Sequence, residues 1–541
     1  MKEHLKSSAG TGLYSRGKKP LVHYLQQHAE ERPEDPAYFY YGSRITWRDL
    51  FDQVQRVAGF LREAGFEKGD RIGLFMQNSP QYIIGHYAIQ YIGAVVCPLN
   101  PMYKVNELEY LIKEVDMSGI FAGGELLAEV RKVNEHLKRI VVIRYKDLIP
   151  DNPSWTIPKD LKSPALELHP NEIMWEEIMQ ESHPWTYPED VKLEDTALLA
   201  FTSGTTGRPK AAMLTYENAL YKTAAAVQVN QVNEKETWLA VMPLCHIAGM
   251  VMGVNIPVYT GAPCVLFARF DPMSILKALR EHRVTVWYSI APMNDALLSI
   301  AENNQLEDLK LNLCTSFGMP VTENLAERWR GVAPNCKLFE ASYGLSETHT
   351  VDTYMPQDTI KFGSVGVPIR GTLIEICDPA TGQVQSAGKS GEIVIQSPGV
   401  FKGYWGRPEA TAESLSNGWL HTGDIGYLDD DGYLYFQGRI KEMIKSSGFS
   451  IFPEDVEALL KEHPAIGQVA VIGVPDEHKG EVVKAFVIPK PEKVINESDL
   501  KFWAKENMAA YKIPMYVEFR NSLPQTGSGK ILRRVLKEQQ N

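Results

Sequence analysis

The sequence predicts an α/β protein in two parts. A large N-terminal part, residues 1–440, is built on parallel sheets and carries a small β subdomain at about 360–440; residues 441–541 form a compact α+β domain. Three observations predict this. Apolar strand-like runs alternate with helical periodicity from about residue 47 to residue 340, the pattern of parallel strands joined by crossovers. From about 360 helical periodicity fades, and short β-like runs sit between glycines and prolines. After 441 helix and strand signals return within the length of one small domain.

Taken in order, Trp47 to Glu63 has helical periodicity, Gly65 to Asp70 turns, and Arg71 to Met76 reads as a strand. A helix from about Pro80 to Ile92 and a strand at Ala94–Cys97 follow, and Ile140–Ile143 is another buried strand. Residues 146–193, rich in Pro, Asp, Glu and Lys, are expected to cross the surface. Trp238–Met242, Val284–Tyr288, Leu311–Cys314 and Lys337–Glu340 are further strands, and the residues just after them stand where open α/β sheets bind ligands. Asp429-Asp430-Asp431-Gly432, between Tyr427-Leu428 and Tyr433-Leu434-Tyr435, reads as a hairpin turn rather than a metal cluster. In the last domain Pro453 opens a helix, Val469–Ile472 and Val482–Val487 are strands, and Ser498 caps a helix through Trp503.

Composition narrows the function. At 541 residues the chain has room for roughly three or four domains. With 44% hydrophobic and 23% charged residues it is an ordinary globular sequence. A net charge of −11 argues against a general nucleic-acid binder. No apolar run is long enough to span a membrane, and the first residues lack the apolar core of a secretory signal. The six cysteines are scattered, form no C-x-x-C pair and have no zinc-like spacing with histidine, which fits buried free thiols in a reducing cytoplasm.

The chemistry centres on Phe201-Thr202-Ser203-Gly204-Thr205-Thr206-Gly207-Arg208-Pro209-Lys210. The apolar run Ala197–Phe201 leads in as a strand, and a helix-like stretch begins near Thr215, so a strand–loop–helix phosphate cradle is expected. It is not a Walker A loop, because Arg208 and Pro209 separate Gly207 from Lys210. Taken alone, a flexible Ser/Thr/Gly linker is an equal reading.

The order of these residues resembles the phosphate-binding signature of the acyl-adenylating superfamily, which includes acyl-CoA synthetases, peptide-synthetase adenylation domains and beetle luciferases. Five further stretches agree, so the resemblance runs from about residue 20 to the C-terminus. Tyr343-Gly344-Leu345-Ser346-Glu347 resembles the segment whose aromatic lies by adenine and whose acid helps hold Mg2+; Thr202 is the second residue implied on the metal side. Asp424, in Gly418–Asp424, resembles the ribose ligand, suited to two vicinal hydroxyls. Gly438-Arg439-Ile440-Lys441 resembles the interdomain joint, with Arg439 on the ribose and Lys441 as pivot. Lys445-Ser446-Ser447-Gly448-Phe449 resembles the loop facing the pantetheine channel, and Pro524–Lys530 the C-terminal lysine loop. Gly527–Lys530 is not a P-loop, since Ile531 stands where Ser or Thr is needed.

The resemblance implies an AMP-forming acid–thiol ligase that uses ATP, Mg2+ and coenzyme A to activate a small-molecule carboxylic acid. Thr202, Ser203, Gly204, Thr205, Thr206, Gly207, Lys210, Tyr343, Gly344, Ser346, Asp424, Arg439, Lys445, Gly448 and Lys530 would bind these substrates; Lys530, Lys210, Glu347 and His246 would serve catalysis. The family rotates its small domain between half-reactions, which implies a mobile C-terminal domain hinged at Lys441. A membrane-peripheral habit and a homodimer are both compatible with the sequence.

Departures concern the acyl site. Ala211 replaces the usual Gly after Lys210, with little consequence expected. Thr315-Ser316-Phe317-Gly318-Met319-Pro320 has bulk at two positions that are commonly small, from packing or to reshape the acyl pocket. Gly344 stands where acetate-type synthetases carry a Trp, so the tunnel is expected to be open. His246, in the acyl-gate-like segment Pro243–Met250, would gate the tunnel, touch the acyl phosphate or simply pack. Met250, Met252, Phe317 and Met319 would suit a medium- or long-chain fatty acid; a benzoate- or coumarate-like acid is the near alternative. An amino-acid adenylating domain fits less well, since Leu244-Cys245-His246 offers no carboxylate for an amine. A non-catalytic nucleotide-binding scaffold is the rival of another class.

Overall fold

The computed structural model describes residues 12–14, 16–161, 166–202, 209–301, 306, 308–316, 321–446, 449–476, 479–508, 510–525 and 531–540. The chain divides into two compact units, one of Met1–Leu373 with Gln396–Leu420 and one of Ile374–Ile395 with His421–Asn541.

The first unit holds two seven-stranded sheets. One runs in the order Glu172–Met174, Arg139–Ile143, Gly119–Gly123, Arg71–Phe75, Val95–Leu99, Thr196–Thr202, Lys210–Thr215. The other runs Leu338–Glu340, Leu313–Ser316, Val286–Ser289, Trp238–Ala240, Cys264–Leu266, Pro36–Tyr40, Ser43–Thr46. Each is parallel except for one antiparallel hairpin at an edge. The expected alternation of strand and helix is therefore realised as crossovers covering parallel strands. The helix Pro80–Tyr91 is buried along its whole length, which explains why its sequence is apolar on every face. Ser79 caps it and Pro80 takes the first position, where its missing N–H costs nothing. Thr46 and Asp49 close a capping box on Trp47–Glu63.

The structure adds to or corrects the sequence reading at three places. No helix follows the 201–210 loop directly: Lys210–Thr215 is a strand, and the helix Tyr216–Asn230 begins only after it, capped by Thr215. The helix thus starts where its periodicity begins, near Thr215; what the sequence reading missed is the intervening strand, in which apolar Ala211, Ala212 and Leu214 pair back onto Thr196–Thr202. The surface stretch 146–193 contains a strand, Glu172–Met174, and a helix, Trp175–Glu181. In the last helix but one, Glu497–Asn507, the cap is Asn496 rather than Ser498, accepting from the Asp499 N–H at 2.9 Å.

The second unit contains two sheets. Leu373–Cys377, Gly391–Gln396 and Trp419–Leu428 lie side by side, and Leu434–Arg439 pairs antiparallel with Trp419–Leu428 across the Asp429–Gly432 turn. The unit boundary falls inside the first three of these strands. The other sheet is built on the long antiparallel pair Ile466–Asp476 and Gly480–Pro489. Its core joins Ile444, Ile451, Val469, Val471, Val483 and Val487 to Val456 and Leu460 of the helix Pro453–Lys461.

Candidate active site

The stretch singled out in the sequence closes a β-hairpin. Thr202 and Lys210 are register partners, and the Thr202 hydroxyl donates to the Lys210 carbonyl at 3.4 Å. Thr202 and Lys210 thus stand side by side at the ends of the two strands. Because the six-residue strand Lys210–Thr215 precedes it, the positive end of the helix Tyr216–Asn230 lies one strand length from Lys210. Ser203, Gly204, Thr205, Thr206 and Gly207, expected to cradle phosphate, lie outside the described residues.

The outer edge of Lys210–Thr215 is covered by the segment 402–405. Trp405 N–H donates to Ala211 O at 2.8 Å, and Met213 N–H donates to Gly403 O at 2.9 Å. This pairing brings in a residue that the sequence reading missed. The Lys210 ammonium sits 4.7 Å from the centre of the Tyr404 ring, and the Tyr404 hydroxyl donates to Glu347 Oε1 at 2.8 Å. Tyr404 thereby joins Lys210 to Glu347. No local pattern marks it, because its place depends on pairing with Ala212, far away in sequence. Replacing Tyr404 by Phe keeps the ring under Lys210 and removes only the bond to the carboxylate. Adenylation, read as acid-dependent pyrophosphate exchange, is expected to fall by about tenfold to a hundredfold, matching the roughly 1.5–3 kcal/mol of a hydrogen bond to a charged group. An unchanged rate would leave Tyr404 a packing residue.

Glu347 is set by its own segment. The strand Leu338–Glu340 ends at the carboxyl edge of its sheet, and the chain runs on to the single 3-10 turn Ser346–Thr348. That turn packs against both strands of the Lys210 hairpin, and the Glu347 carbonyl accepts the Phe401 N–H at 2.7 Å. Tyr343 is buried, its N–H donating to Thr353 Oγ1 at 2.8 Å and its carbonyl accepting from Asp352 N–H at 2.8 Å. Gly344 has a structural reason of its own: a Cβ there would lie 2.6 Å from Val351 N and 2.7 Å from Thr350 C. Just before them, burial pushes the Glu340 carboxyl up to about 7.

In the second unit Asp424 and Arg439 are register partners across the hairpin, with Arg439 Nε 3.1 Å from Asp424 Oδ1. Asp424 is 2% exposed, so the guanidinium offsets much of the cost of burying its charge. Beside them Glu392 accepts the Gly423 N–H at 3.0 Å and lies 2.9 Å from His421 Nδ1. Lys441 is exposed in the short turn Ile440–Glu442. Lys445, also exposed, lies in the strand Ile444–Ser446, which pairs with Phe449–Ile451. Gly448 and Lys530 lie outside the described residues; next to the latter, Gln525 and Ile531 bridge each other.

His246 precedes the helix Ile247–Met250 as its N-cap residue. Burial pushes its imidazole below the usual range, and its buried Nε2 has no hydrogen-bond partner among the described residues. The helix continues as a π-helical turn, Val251–Asn255, a distortion that widens the backbone and recurs at functional sites. Met250 and Met252 are buried behind it, whereas Phe317 and Met319 lie outside the described residues.

The chain matches the AMP-binding enzyme family over residues 25–405 and the AMP-binding enzyme C-terminal domain over residues 455–530. It is 32% identical over 538 residues to a long-chain-fatty-acid–CoA ligase of Bacillus subtilis (strain 168), covering 96% of this chain and 95% of that one. It is 35% identical over 513 residues to a feruloyl-CoA synthase of Amycolatopsis sp, covering 94% and 96%. Its fold is similar to that of an anthranilate CoA ligase solved with anthranoyl-AMP, with a TM-score of 0.85 at 26% identity over 98% of both chains. It is also similar to the O-succinylbenzoate CoA synthetase of Bacillus subtilis solved with ATP and magnesium, with a TM-score of 0.82 at 28% identity over 96% and 99%. The fold is thus that of adenylate-forming enzymes. The chain belongs to the AMP-binding enzyme family and is an AMP-forming acid–CoA ligase of the acyl-adenylating superfamily.

Proposed function

We propose that this ligase activates a medium- or long-chain fatty acid with ATP and passes the acyl group to coenzyme A. The observation that carries this is the apolar ground behind His246, where Leu244, Met250, Met252 and Val254 are all buried. Full-length similarity to a long-chain-fatty-acid–CoA ligase supports it. An aryl acid is the second reading, supported by similarity to the feruloyl-CoA synthase.

The chemistry follows from charge. A carboxylate is a poor acyl donor because its oxygen leaves badly; attack on the α-phosphorus of ATP replaces that leaving group with AMP and expels pyrophosphate. A thiol then displaces AMP. The first step brings two anions together, so the site must spread positive charge over them. Lys210 and Lys530 would neutralise phosphate oxygens, the glycine-rich loop would add backbone donors, and Asp424 with Arg439 would hold the ribose. The hard oxygen donors Thr202 and Glu347 fit Mg2+, which when bound screens the phosphate charge. Tyr404 holds the Glu347 carboxylate in orientation.

The C-terminal domain 441–541 is proposed to turn at Lys441 between the two steps, presenting Lys530 for the first and Lys445 and Gly448 for the second. In this conformation the helix Pro453–Lys461 packs on the strand Leu434–Arg439, so the turn must break that contact. A cytoplasmic setting is proposed on the six free cysteines, and no helix among the described residues is long and apolar enough to cross a membrane. The test is pyrophosphate release and thioester formation over acids from acetate through C18 fatty acids to benzoates and cinnamates, with ATP, Mg2+ and CoA. Thioester chiefly from medium and long chains is expected. Turnover of aromatic acids alone would replace the fatty acid by an aryl one, and pyrophosphate without thioester would overturn CoA as acceptor.

A further inference from the structure

A charged pair that the proposed chemistry does not use lies inside the first unit. Lys222 Nζ is 2.5 Å from Asp352 Oδ1, and both side chains are 0% exposed. Lys222 also donates to the Val351 carbonyl at 3.0 Å, and the Thr348 hydroxyl donates to the second Asp352 oxygen. Burial alone opposes both charges, lowering the lysine and raising the aspartate; each partner offsets that for the other. Well-packed apolar residues often replace such a pair without loss of stability, so stability is a weak reason for its presence.

The backbone it grips supplies a better one. His349, Thr350 and Val351 are three consecutive residues in the left-handed region, with φ of 56°, 56° and 49°. A β-branched residue resists that conformation, and a run of three persists only where its surroundings over-determine it. Lys222 holds the carbonyl of the last of the three, and Asp352 follows directly. The inner side of the triplet is the surface on which the Tyr343–Glu347 segment is folded. Thr350 N–H donates to Leu345 O at 2.8 Å, and the backbone atoms of Thr350 and Val351 crowd Gly344. The Lys222 stem lies so close to Gly399 that a Cβ there would meet Lys222 Cε at 2.1 Å. The segment after Gly399 carries Phe401 and Tyr404, both bonded to Glu347.

We propose that Lys222 and Asp352 are positioning residues: their buried pair locks the left-handed triplet His349–Val351 and so fixes the Glu347 carboxylate in the orientation that binds Mg2+ with ATP. The inference rests on the reading of Glu347 as the metal-side carboxylate. Lys222 lies on the helix that follows the phosphate hairpin, so the pair also sets Glu347 relative to Lys210.

Pyrophosphate exchange is measured in the full-length enzyme against free Mg2+ for Thr348→Val, Asp352→Asn, the double variant Lys222→Met with Asp352→Leu, and Glu347→Gln. Thr348→Val leaves the ion pair intact and cuts its tie to the 346–348 turn; the double variant buries no charge. Both are expected to raise the Mg2+ needed for half-maximal exchange by about tenfold or more, with the rate partly restored at high Mg2+. A double variant that keeps its melting temperature and still shows the shift separates positioning from mere stability. Unchanged Mg2+ dependence in Thr348→Val and in the double variant, beside a shifted Glu347→Gln, overturns the positioning role alone. An unshifted Glu347→Gln overturns the reading of Glu347 and the inference with it. If the double variant does not fold, Thr348→Val decides by the same criterion.

Discussion

Lys530→Ala is expected to lower acid-dependent pyrophosphate exchange by about a hundredfold to a thousandfold, the usual effect of removing one group that stabilises transition-state charge. Charge develops on the phosphate oxygens as the carboxylate attacks, and the proposed site meets it with few cations. Lys210 is one of them, 4.7 Å above the Tyr404 ring and with its hairpin mouth beside Thr202. Lys530 is expected to supply a second from the loop after Pro524. Leu532 N–H donates to Pro524 O at 2.9 Å, and Gln525 bridges Ile531, so the ends of that loop are held together. Because the lysine is proposed to act only in the first step, the variant should still convert supplied acyl-adenylate and CoA to thioester at close to the normal rate. Normal adenylation would remove Lys530 from the mechanism. Equal loss in both steps would assign it to folding or to binding of AMP.

The second large effect is on stability. Arg533, 9% exposed, sits among three carboxylates: Nη1 lies 2.5 Å from Glu442 Oε2 and 2.6 Å from Glu454 Oε1, and Nη2 lies 2.8 Å from Glu457 Oε2. It fastens the helix Arg533–Glu538 to the helix Pro453–Lys461 and to the turn Ile440–Glu442 that contains Lys441. Burial, with the other two carboxylates adding to it, still raises Glu454 from 4.5 to about 7 against the pull of Arg533. Arg533→Met would leave three carboxylates facing one another. At pH 8 it is expected to cost about 3–5 kcal/mol, the scale of breaking a buried pair from one side. The sign of the pH dependence follows from the raised carboxyl: the folded state binds its proton more tightly than the unfolded chain. Stability is therefore fully present below the unfolded value and falls as pH rises through the folded one. In the variant the loss should shrink toward pH 5. Urea denaturation at the two pH values measures it, and an equal loss at both would sink the electrostatic account.

The parallel-sheet architecture was legible in the sequence because each strand carries its own signal. Arg71–Phe75 and Arg139–Ile143 are short apolar runs bounded by turns or helices, and burial from both sides makes such runs apolar throughout. Asp424 and Arg439 could be chosen in advance because each lies in a distinctive local motif. That they face each other across one hairpin follows from the register of Trp419–Leu428 on Leu434–Arg439. Local reasoning placed the helix near Thr215 but missed the strand Lys210–Thr215 before it, which is defined by its pairing with Thr196–Thr202. It also missed the hairpin of Pro36–Tyr40 with Ser43–Thr46. That hairpin completes a sheet whose other strands begin at residue 238, and no local signal names so distant a partner.

Residue type and near-neighbour spacing were enough for the α/β class, and the resemblance of short motifs to the acyl-adenylating superfamily was enough to name Lys210, Glu347, Asp424 and Arg439 as candidates. Three things had to wait for the folded chain: that Tyr404 bonds Glu347, that Gly344 must lack a side chain, and that Lys222 and Asp352 meet inside the first unit. The two side-chain contacts join segments far apart in sequence, and the crowding at Gly344 comes from a backbone turn held by one of them. Periodicity reports which side of a segment is buried. What it is buried against is set by the closing of long loops, whose entropic cost is met by the packing of the whole unit.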